Sequence, residues 1–313
     1  MTTTIIIMPV LLVLFTAFMV FLRILSYIAF SPMRKIAGDV TKLPGNEQYM
    51  AVRPQMLELI GNLEKLDFEG ITIESHDGLK LFGRYYERQK PNVIEIDFHG
   101  YRGHAQRDYC GGSTISIENG ISSILVDQRS HTESEGNVIT FGIKERYDVI
   151  CWVNYVINRF GSDVKIILAG VSMGAATVLM ASELDLPKNV VGIIADCPYS
   201  SPEDIIRKVT RDKGLSDTFL YPFTELSAKI FAHFNLREAS PVEAVKHTNI
   251  PILILHGEDD RFVPHHMGKA VFDACASENK TFVSFPNAGH ALSYFADTQK
   301  YKKAITEFVN SLI

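Results

Sequence analysis

Residues 170–174 (GVSMG) form a G-x-S-x-G motif that stands directly between an apolar run and a helical pattern. The run before it, residues 164–170 (VKIILAG), is almost entirely apolar, as expected for a strand covered on both faces. In this context the serine lies on a tight strand-to-helix turn that lifts its hydroxyl clear of a sheet, and the glycines permit close packing. The motif therefore predicts that Ser172 is a nucleophile.

A serine hydroxyl is a weak nucleophile at neutral pH and needs a general base, which an acidic group must orient. In a fold with this serine motif, the chain order is serine, acid, histidine. His290 is the only histidine that follows the last predicted strand, residues 280–285. His265 and His266 also follow the motif, but they come too soon after the candidate acid and open a predicted helix. We therefore predict that His290 is the base.

The acid has several candidates, because three carboxylates share one turn after the apolar run 251–255. Asp260 fits the pattern H-G-x-x-D-x-x-V-P, whereas Glu258 and Asp259 are its neighbours in the same turn. Asp196, which directly follows the strand before that one, is a more distant alternative. We predict Asp260 as the acid.

The tetrahedral intermediate of acyl transfer needs backbone N–H donors aimed at its oxyanion. The amide after the nucleophile, that of Met173, is one expected donor. The second is expected from the loop after the strand 93–98, and we assign it to the amide of Tyr101. His99, in the same loop, is interpreted as a structural residue.

The elements that must position these residues alternate between apolar strands and helical patterns. Residues 70–75 and 79–88 alternate in polarity around the turn dipeptide Asp77-Gly78, which predicts a hairpin. Further strands are predicted at 93–98, 122–127, 164–170, 190–195, 251–255 and 280–285, and helices at about 54–65, 144–160, 174–184 and 298–313. This alternation predicts an α/β fold with a mostly parallel central sheet flanked by helices.

Residues 198–248 interrupt the alternation, since they contain short helical patterns and no strand signal. The segment lies between two predicted core strands and is rich in aromatic residues, so we interpret it as a helical lid over the site. An ordinary packed helical excursion is the alternative. Phe219, Tyr221 and Phe223 are the residues of this segment that we predict to contact substrate.

The first thirty residues form an apolar segment, and residues 2–22 carry no charge. About twenty apolar residues suffice to cross a bilayer as a helix. A secretory signal peptide would have a basic start and a small-residue cleavage site, and neither is evident here. We predict a single-pass membrane anchor at residues 1–30, with a cleaved signal peptide or a buried or interfacial helix as alternatives.

The charges that flank this segment predict its orientation, because cytoplasmic flanks carry an excess of Lys and Arg. The N-terminal flank, residues 1–4 (MTTT), contains no basic side chain. The C-terminal side of the uncharged run 2–22 carries Arg23, Arg34, Lys35 and Lys42. The hydrolytic part of the chain is therefore expected in the cytoplasm. Four widely separated cysteines without a C-x-x-C motif agree with a reducing compartment, and we interpret them as buried small side chains.

Composition excludes some function classes. The formal net charge is −5 and no run of Lys or Arg occurs, so no nucleic-acid partner is predicted. The residues identified above need no cofactor, and the cysteine spacing predicts no metal site.

From about residue 68 to residue 313 the chain resembles the α/β-hydrolase superfamily, and within it the serine aminopeptidase S33-like and Bem46/ABHD13-like group, some members of which carry an N-terminal apolar anchor. Its motifs are DFHGYRG (97–103), VDQRSHTESEG (126–136), GVSMG (170–174), ADCPYSS (195–201), SPVEAVK (240–246), HGEDDRFVP (256–264) and NAGH (287–290). Thr132 stands where that group usually has glycine. The resemblance implies an α/β-hydrolase fold at residues 68–313, with a connector at 31–67 and the lid at 198–248.

Activity is less constrained than fold, because this scaffold hosts esterases, lipases, thioesterases, peptidases and amidases. The apolar anchor and aromatic lid favour a serine hydrolase that cleaves a small or lipid-like carboxylic ester through an acyl-enzyme. An S33-like peptidase or amidase is the alternative, and a binding module without activity is the third possibility.

Overall fold

The computed structural model describes residues 2–32 and 40–313. Part of the predicted connector, with the flanking charges Arg34 and Lys35, lies outside the described residues. The helices are α1 (Thr2–Phe30), α2 (Glu47–Glu64), α3 (Ala105–Asp108), α4 (Cys110–Glu118), α5 (Glu145–Phe160), α6 (Met173–Ala181), α7 (Pro202–Asp212), α8 (Asp217–Ser227), α9 (Pro241–Ala244), α10 (His265–Ala274), α11 (Ser293–Ala296) and α12 (Thr298–Leu312).

The eight strands form one sheet in the order β1-β2-β4-β3-β5-β6-β7-β8. They are β1 (Glu69–Glu74), β2 (Lys80–Tyr86), β3 (Lys90–Phe98), β4 (Ile121–Val126), β5 (Lys165–Val171), β6 (Val190–Asp196), β7 (Ile252–Gly257) and β8 (Lys280–Phe285). The first two strands form the predicted antiparallel hairpin, and β3 to β8 are parallel to one another. This is the α/β-hydrolase fold, as the sequence predicts.

Apolar side chains fill both faces of the sheet. On one face α5, α6 and α10 pack against the strands, with Trp152 and Val178 fully buried. On the other face lie α4 and α12, with Ile115 and Phe308 in the core. Because helices cover both faces, β4, β5 and β7 are buried along almost their whole length, which explains their nearly continuous apolar sequences.

The segment from residue 198 to 248, here called the helical insertion, contains α7, α8, α9, a π-helical turn (Ala228–Ala232) and a 3₁₀ turn (Val245–His247). No strand occurs in it, in agreement with the sequence. A third apolar cluster joins this insertion to Phe30 at the end of α1 and to Met173 at the start of α6. The insertion therefore contacts both the N-terminal helix and the serine turn.

The helix predicted at 54–65 begins earlier than expected. Asn46 caps α2, with its side-chain oxygen accepting a hydrogen bond from the Tyr49 amide at 3.0 Å, and Pro54 lies inside the helix. The capping asparagine, which the sequence prediction did not include, fixes the true beginning of the helix.

Candidate active site

Ser172 lies at the turn between β5 and α6 with backbone angles φ 56° and ψ −113°. Positive φ is rare for a residue with a side chain, so this turn is strained. Gly170 and Gly174 make the turn possible. A Cβ atom on Gly174 would lie 1.7 Å from the carbonyl oxygen of Phe98, and one on Gly170 would lie 2.3 Å from the carbonyl of Gly174. Both glycines of the sequence motif are therefore required by close backbone approach.

Three predicted site residues form a continuous hydrogen-bonded chain. His290 Nε2 lies 3.0 Å from Ser172 Oγ, and His290 Nδ1 lies 2.7 Å from Asp260 Oδ2. The other oxygen of Asp260 accepts hydrogen bonds from the amides of Phe262 at 2.9 Å and Val263 at 2.8 Å. The carboxylate is thus fixed by its own loop and, in turn, orients the imidazole ring.

Electrostatics in this chain favour an ionised acid beside a basic histidine. Burial works to raise the pKa of Asp260, but the charge of His290 and hydrogen bonds from His256 and His290 hold it well below its ordinary value. Burial works to lower the pKa of His290, but the charge and hydrogen bond of Asp260 outweigh it and raise the pKa. His290 is therefore suited to accept a proton from the serine.

The rival carboxylates have other surroundings. Asp196 accepts a hydrogen bond from the Tyr301 hydroxyl at 2.9 Å, and burial raises its pKa to about 6. Glu258 and Asp259 are exposed at the surface of the turn. His290 Nδ1 thus donates its hydrogen bond to the carboxylate that the sequence pattern favours.

The loop after β3 lies against the serine, since a Cβ atom on Gly100 would be 3.4 Å from Ser172 Cβ. The amide of Gly100 donates to Asp108 Oδ2, that of Arg102 to His131 Nε2, and that of Gly103 to the Gly100 carbonyl. Tyr101 is the residue between these engaged donors, and its role as an oxyanion donor stays a prediction.

Met173, the other assigned oxyanion donor, is the first residue of α6. The first N–H groups of a helix have no acceptor within the helix and carry its positive dipole end. The Met173 amide is therefore suited in position to face an oxyanion formed at Ser172.

Two buried histidines support the loop after β3. His99 Nε2 accepts from the Gln128 amide at 3.1 Å, and its Nδ1 lies 2.8 Å from the Gly100 carbonyl. His131 has the same pattern, accepting from the Arg102 amide at 3.1 Å while its Nδ1 lies 2.9 Å from the Arg129 carbonyl. Both rings must hold their proton on Nδ1, and the structural interpretation of His99 agrees with this geometry.

A cavity of about 250 Å³ opens beside Ser172 and His290. Its wall includes three residues of the segment before the sheet that no sequence motif marks as functional: Pro44, Asn46 and Tyr49. Phe262 completes the opposite side, with its ring 5.0 Å from that of His290. A larger cavity of about 530 Å³, between α7, α9 and α10, contains none of the hydrogen-bonded chain, so chemistry rather than volume identifies the site.

The three aromatic residues predicted to contact substrate do not line the cavity at Ser172. Phe219 is 63% exposed on the outer surface of α8, whereas Tyr221 is buried beneath the Arg207 guanidinium, 4.1 Å from its ring. Phe223 packs against α1. Direct contact of these rings with a substrate stays a prediction.

Among residues 2–32 and 40–313, two sets of side chains have the types and spacing of metal ligands. Cys197 lies near Asp260 and His290, but burial raises the pKa of its thiol well above the ordinary value, which disfavours the thiolate. The other set is His76, Asp77 and Asp148. Its two carboxylates already bind the Arg129 guanidinium, which occupies the position of a cation.

Comparison with known proteins agrees with this fold. The model of the serine aminopeptidase S33 family matches residues 213–295, a stretch that includes Asp260 and His290. The Bacillus subtilis (strain 168) protein YqkD is 24% identical over 272 residues, which cover 80% of this chain and 88% of YqkD. The lysophosphatidylserine lipase ABHD12 of Danio rerio is 27% identical over 202 residues, which cover 61% of this chain and 50% of ABHD12.

Among solved structures, the Pyrococcus furiosus esterase Pf2001 superposes with a TM-score of 0.67 at 18% identity, covering 91% of this chain and 98% of the esterase. At this identity the likeness concerns the fold. The resemblance to the α/β-hydrolase superfamily and its S33-like group is thereby confirmed. Together these similarities support a hydrolase.

Proposed function

We propose that the protein is a serine hydrolase that cleaves a small or lipid-like carboxylic ester through an acyl-enzyme intermediate. The observation that carries the proposal is the hydrogen-bonded chain from Asp260 through His290 to a strained Ser172 beside a cavity. Nucleophile, base and orienting acid are the parts that acyl transfer from a serine requires.

In the proposed reaction Ser172 Oγ attacks the ester carbonyl while His290 Nε2 takes the hydroxyl proton. The carbonyl oxygen becomes an oxyanion that the amides of Tyr101 and Met173 stabilise. His290 then donates its proton to the leaving alcohol, and the acyl group stays on Ser172. A water molecule, deprotonated by His290, releases the acid and restores the hydroxyl. Asp260 stabilises the imidazolium in both halves of the reaction.

An S33-like peptidase or amidase is the alternative, favoured by the family match at residues 213–295. A peptide amine would require an acidic group to bind it. Three acidic side chains of the helical insertion already pair with cations: Glu203 with Arg207, Asp212 with Lys208 and Asp217 with Arg211. The names of ABHD12, a lipase, and Pf2001, an esterase, support an ester instead. Turnover of acyl esters compared with aminoacyl amides distinguishes the two activities.

The test of the nucleophile uses a fluorophosphonate probe on the full chain. Ser172→Ala is expected to lose labelling and to lower ester hydrolysis by several orders of magnitude, since it removes the attacking atom. Ser200→Ala changes another buried serine and is expected to keep both. Labelling that persists in Ser172→Ala would contradict the assignment.

We infer that α1 anchors the hydrolase domain, residues 68–313, to a membrane. Within the described residues one helix is long and apolar enough to cross a bilayer, Met8–Phe30, with mean hydropathy 2.4. Only 6% of the most apolar 18-residue stretch of this helix is buried, whereas a core helix would be mostly buried. The flanking charges support a cytoplasmic hydrolase domain.

Protease added to intact cells tests this orientation. The hydrolase domain is expected to resist digestion by an impermeant protease and to be digested once the cells are permeabilised. Digestion in intact cells, with cytosolic control proteins preserved, would reverse the assigned orientation. Recovery of the chain in the soluble fraction would instead contradict the anchor.

A further inference from the structure

The two halves of α1 have different surroundings. Met8 to Phe18 are exposed on all sides of the helix. Beyond this point one face becomes buried, at the four-residue spacing of Leu22, Ser26 and Phe30. The second half of α1 therefore packs against the folded domain, while the opposite face stays exposed at Ile24 and Tyr27.

The partner of this buried face is the helical insertion. The Phe223 ring of α8 packs edge-on against Phe18 at 6.0 Å and Phe21 at 5.7 Å. The guanidinium of Arg23, the one charged residue of α1, lies 5.6 Å from the Phe231 ring. Helix α8 therefore lies alongside the last apolar turns of the proposed anchor.

With α1 spanning the bilayer as proposed, these contacts indicate how deep α8 lies in the bilayer. Arg23 marks the end of the uncharged segment of α1, where the polar headgroups begin. Phe18 is five residues before Arg23, which at 1.5 Å per residue is about 7.5 Å nearer the bilayer centre. Since Phe223 contacts Phe18, the α8 helix reaches below the headgroup level. Interfacial helices bury their apolar face by about 5–10 Å at this boundary.

The outer side of the same segment carries an uncovered apolar stripe. Phe219, Pro222 and Leu226 follow one another at intervals of three and four residues, which is the spacing of one face of α8. Leu215 lies in the turn just before α8, and Ile230 lies in the π-helical turn that follows it. All five are exposed, Leu215 by 50%, Leu226 by 37% and Ile230 by 37%. A row of this length without a covering element in the described structure indicates an interaction surface.

We propose that this stripe, here called the α8 stripe, is inserted in the leaflet of the bilayer on the same side as the hydrolase domain. The inference rests on the proposed membrane span of α1, but not on the proposed hydrolysis. A lipid surface is the occupant that fits, because the stripe is adjacent to a helix whose own exposed residues require lipid.

The cavity of the proposed active site lies beside the last turn of α1, which follows Arg23 towards the hydrolase domain. Tyr101 lines the cavity, and its hydroxyl donates a hydrogen bond to the Ala29 carbonyl of α1 at 2.8 Å. Arg102 also binds α1, with Nη2 donating to the Ile28 carbonyl at 3.0 Å. If hydrolysis is as proposed, this closeness of the cavity to the anchor favours an acyl substrate delivered from the leaflet over one from bulk water.

Depth-dependent quenching tests the membrane contact without any reference to activity. The full chain is reconstituted in phosphatidylcholine–phosphatidylglycerol vesicles containing nitroxide-labelled phospholipid, with tryptophan placed by Leu226→Trp or Ile230→Trp. The native Trp152 is fully buried in the core and gives a constant background. Both introduced tryptophans are expected to be quenched, most strongly by a nitroxide placed high on the acyl chain.

Phe68→Trp is the matched control. Phe68 is 47% exposed and packs on Tyr86. Tyr86 pairs with Ser123 near the start of β4, at the end of the sheet opposite the serine turn. This tryptophan is expected to show no quenching. Equal quenching at positions 68, 226 and 230, or none at 226 and 230, would overturn the proposal. A disulfide-linked dimer of Leu226→Cys, with no quenching at 226, would assign the α8 stripe to a second copy of the chain and also overturn it.

The consequence for substrate is measured separately. The double variant Leu226→Gln and Ile230→Gln is expected to lower hydrolysis of a long-chain ester in vesicles by about tenfold, because both changes remove apolar surface from the membrane contact. Hydrolysis of a water-soluble short ester is expected to be unchanged. An equal loss on both esters would contradict entry from the leaflet. Inactivity of the wild-type chain on every ester would contradict the proposed function alone, since quenching would persist.

Discussion

His290 and the pair His99–His131 are enclosed histidines with opposite electrostatics. His290 Nδ1 faces the Asp260 carboxylate at 2.7 Å, whereas Nδ1 of His99 and of His131 faces a backbone carbonyl. Burial lowers the pKa of His99 to about 4 and that of His131 to about 3. For His290 the carboxylate reverses the effect of burial and raises the pKa.

The partner of Nδ1 therefore decides what the ring can do. A carbonyl fixes the tautomer of a neutral ring, and that ring can accept a hydrogen bond from a loop amide. A carboxylate also stabilises the imidazolium, so His290 can hold a proton during a reaction. One residue type thus supplies chemistry at one loop and loop architecture at the other.

Asp260→Asn removes the charge that distinguishes His290 from His99 and His131, and we expect it to have the largest effect. Asp260→Asn is expected to lower kcat by about 10³- to 10⁴-fold, because an amide neither stabilises the imidazolium nor fixes the tautomer. Asp196→Asn, which changes a buried carboxylate bound to Tyr301, is expected to lower kcat by less than about tenfold. Steady-state kinetics of both variants, with circular dichroism to check folding, gives the comparison.

A larger loss of kcat in Asp196→Asn than in Asp260→Asn would show that the acid follows β6 instead of β7. Comparable damage in both variants, with both folded, would mean that the hydrogen bond at 2.7 Å between Asp260 and His290 does not govern the reaction.

The next largest expected effect is a loss in the free energy of unfolding between pH 7 and pH 5. A histidine whose folded pKa is lowered stabilises the protein fully above its unfolded pKa, about 6.5, and this contribution is lost as the pH falls towards the folded value. Each of His99 and His131 is expected to reduce the free energy of unfolding by about 2 kcal/mol between pH 7 and pH 5. The raised pKa of His290 gives the opposite sign, with a contribution lost as the pH rises.

Urea unfolding of His99→Gln at pH 7 and pH 5 measures this contribution. The variant is expected to be less stable at pH 7, where a hydrogen-bonded neutral ring is lost, but its stability should fall less between the two pH values than that of the wild type. His247→Gln, which changes an exposed histidine, is the control and is expected to retain the wild-type pH dependence. A pH dependence in His99→Gln as steep as in the wild type would contradict a neutral buried ring.

The strands and the serine turn could be predicted from the sequence because their signals are local. Strand β8 has the predicted limits, and β5 differs by one residue at each end. The predicted order of serine, acid and histidine matches the order of the three residues in the hydrogen-bonded chain. These features depend on apolar runs and short motifs, which a window of about ten residues contains.

Elements that depend on distant contacts were missed. Helix α4 begins with Cys110 and two glycines, a poor helix sequence, yet a Cβ on Gly111 would lie 2.7 Å from the Tyr294 ring. The glycine is there for packing and not as a helix breaker. Tyr49 and Asn46 reach the cavity only because α2 folds back over it, and no local pattern encodes that return.

The smallest expected effect concerns the loop that carries His131. Thr132 has φ 38°, in the left-handed region, where a β-branched residue is strained. Its buried Oγ1 has no hydrogen-bond partner among the described residues. Glycine is expected here in the resembling group, and it adopts such angles without strain.

Thr132→Gly is therefore expected to keep or raise the free energy of unfolding, by up to about 1 kcal/mol, because relief of strain offsets the greater entropy of the unfolded chain. Thr114→Gly, inside helix α4, is the matched control and is expected to lose about 1 kcal/mol, since there the angles are helical and no strain is relieved. Urea unfolding of both variants at pH 7 measures the difference. An equal loss in both would mean that the Thr132 side chain contributes packing that exceeds its backbone strain.

The pH profile of ester hydrolysis is expected to be the same in Thr132→Gly as in the wild type, because this loop supports architecture and not proton transfer. A displaced profile would show that the His131 loop acts on His290.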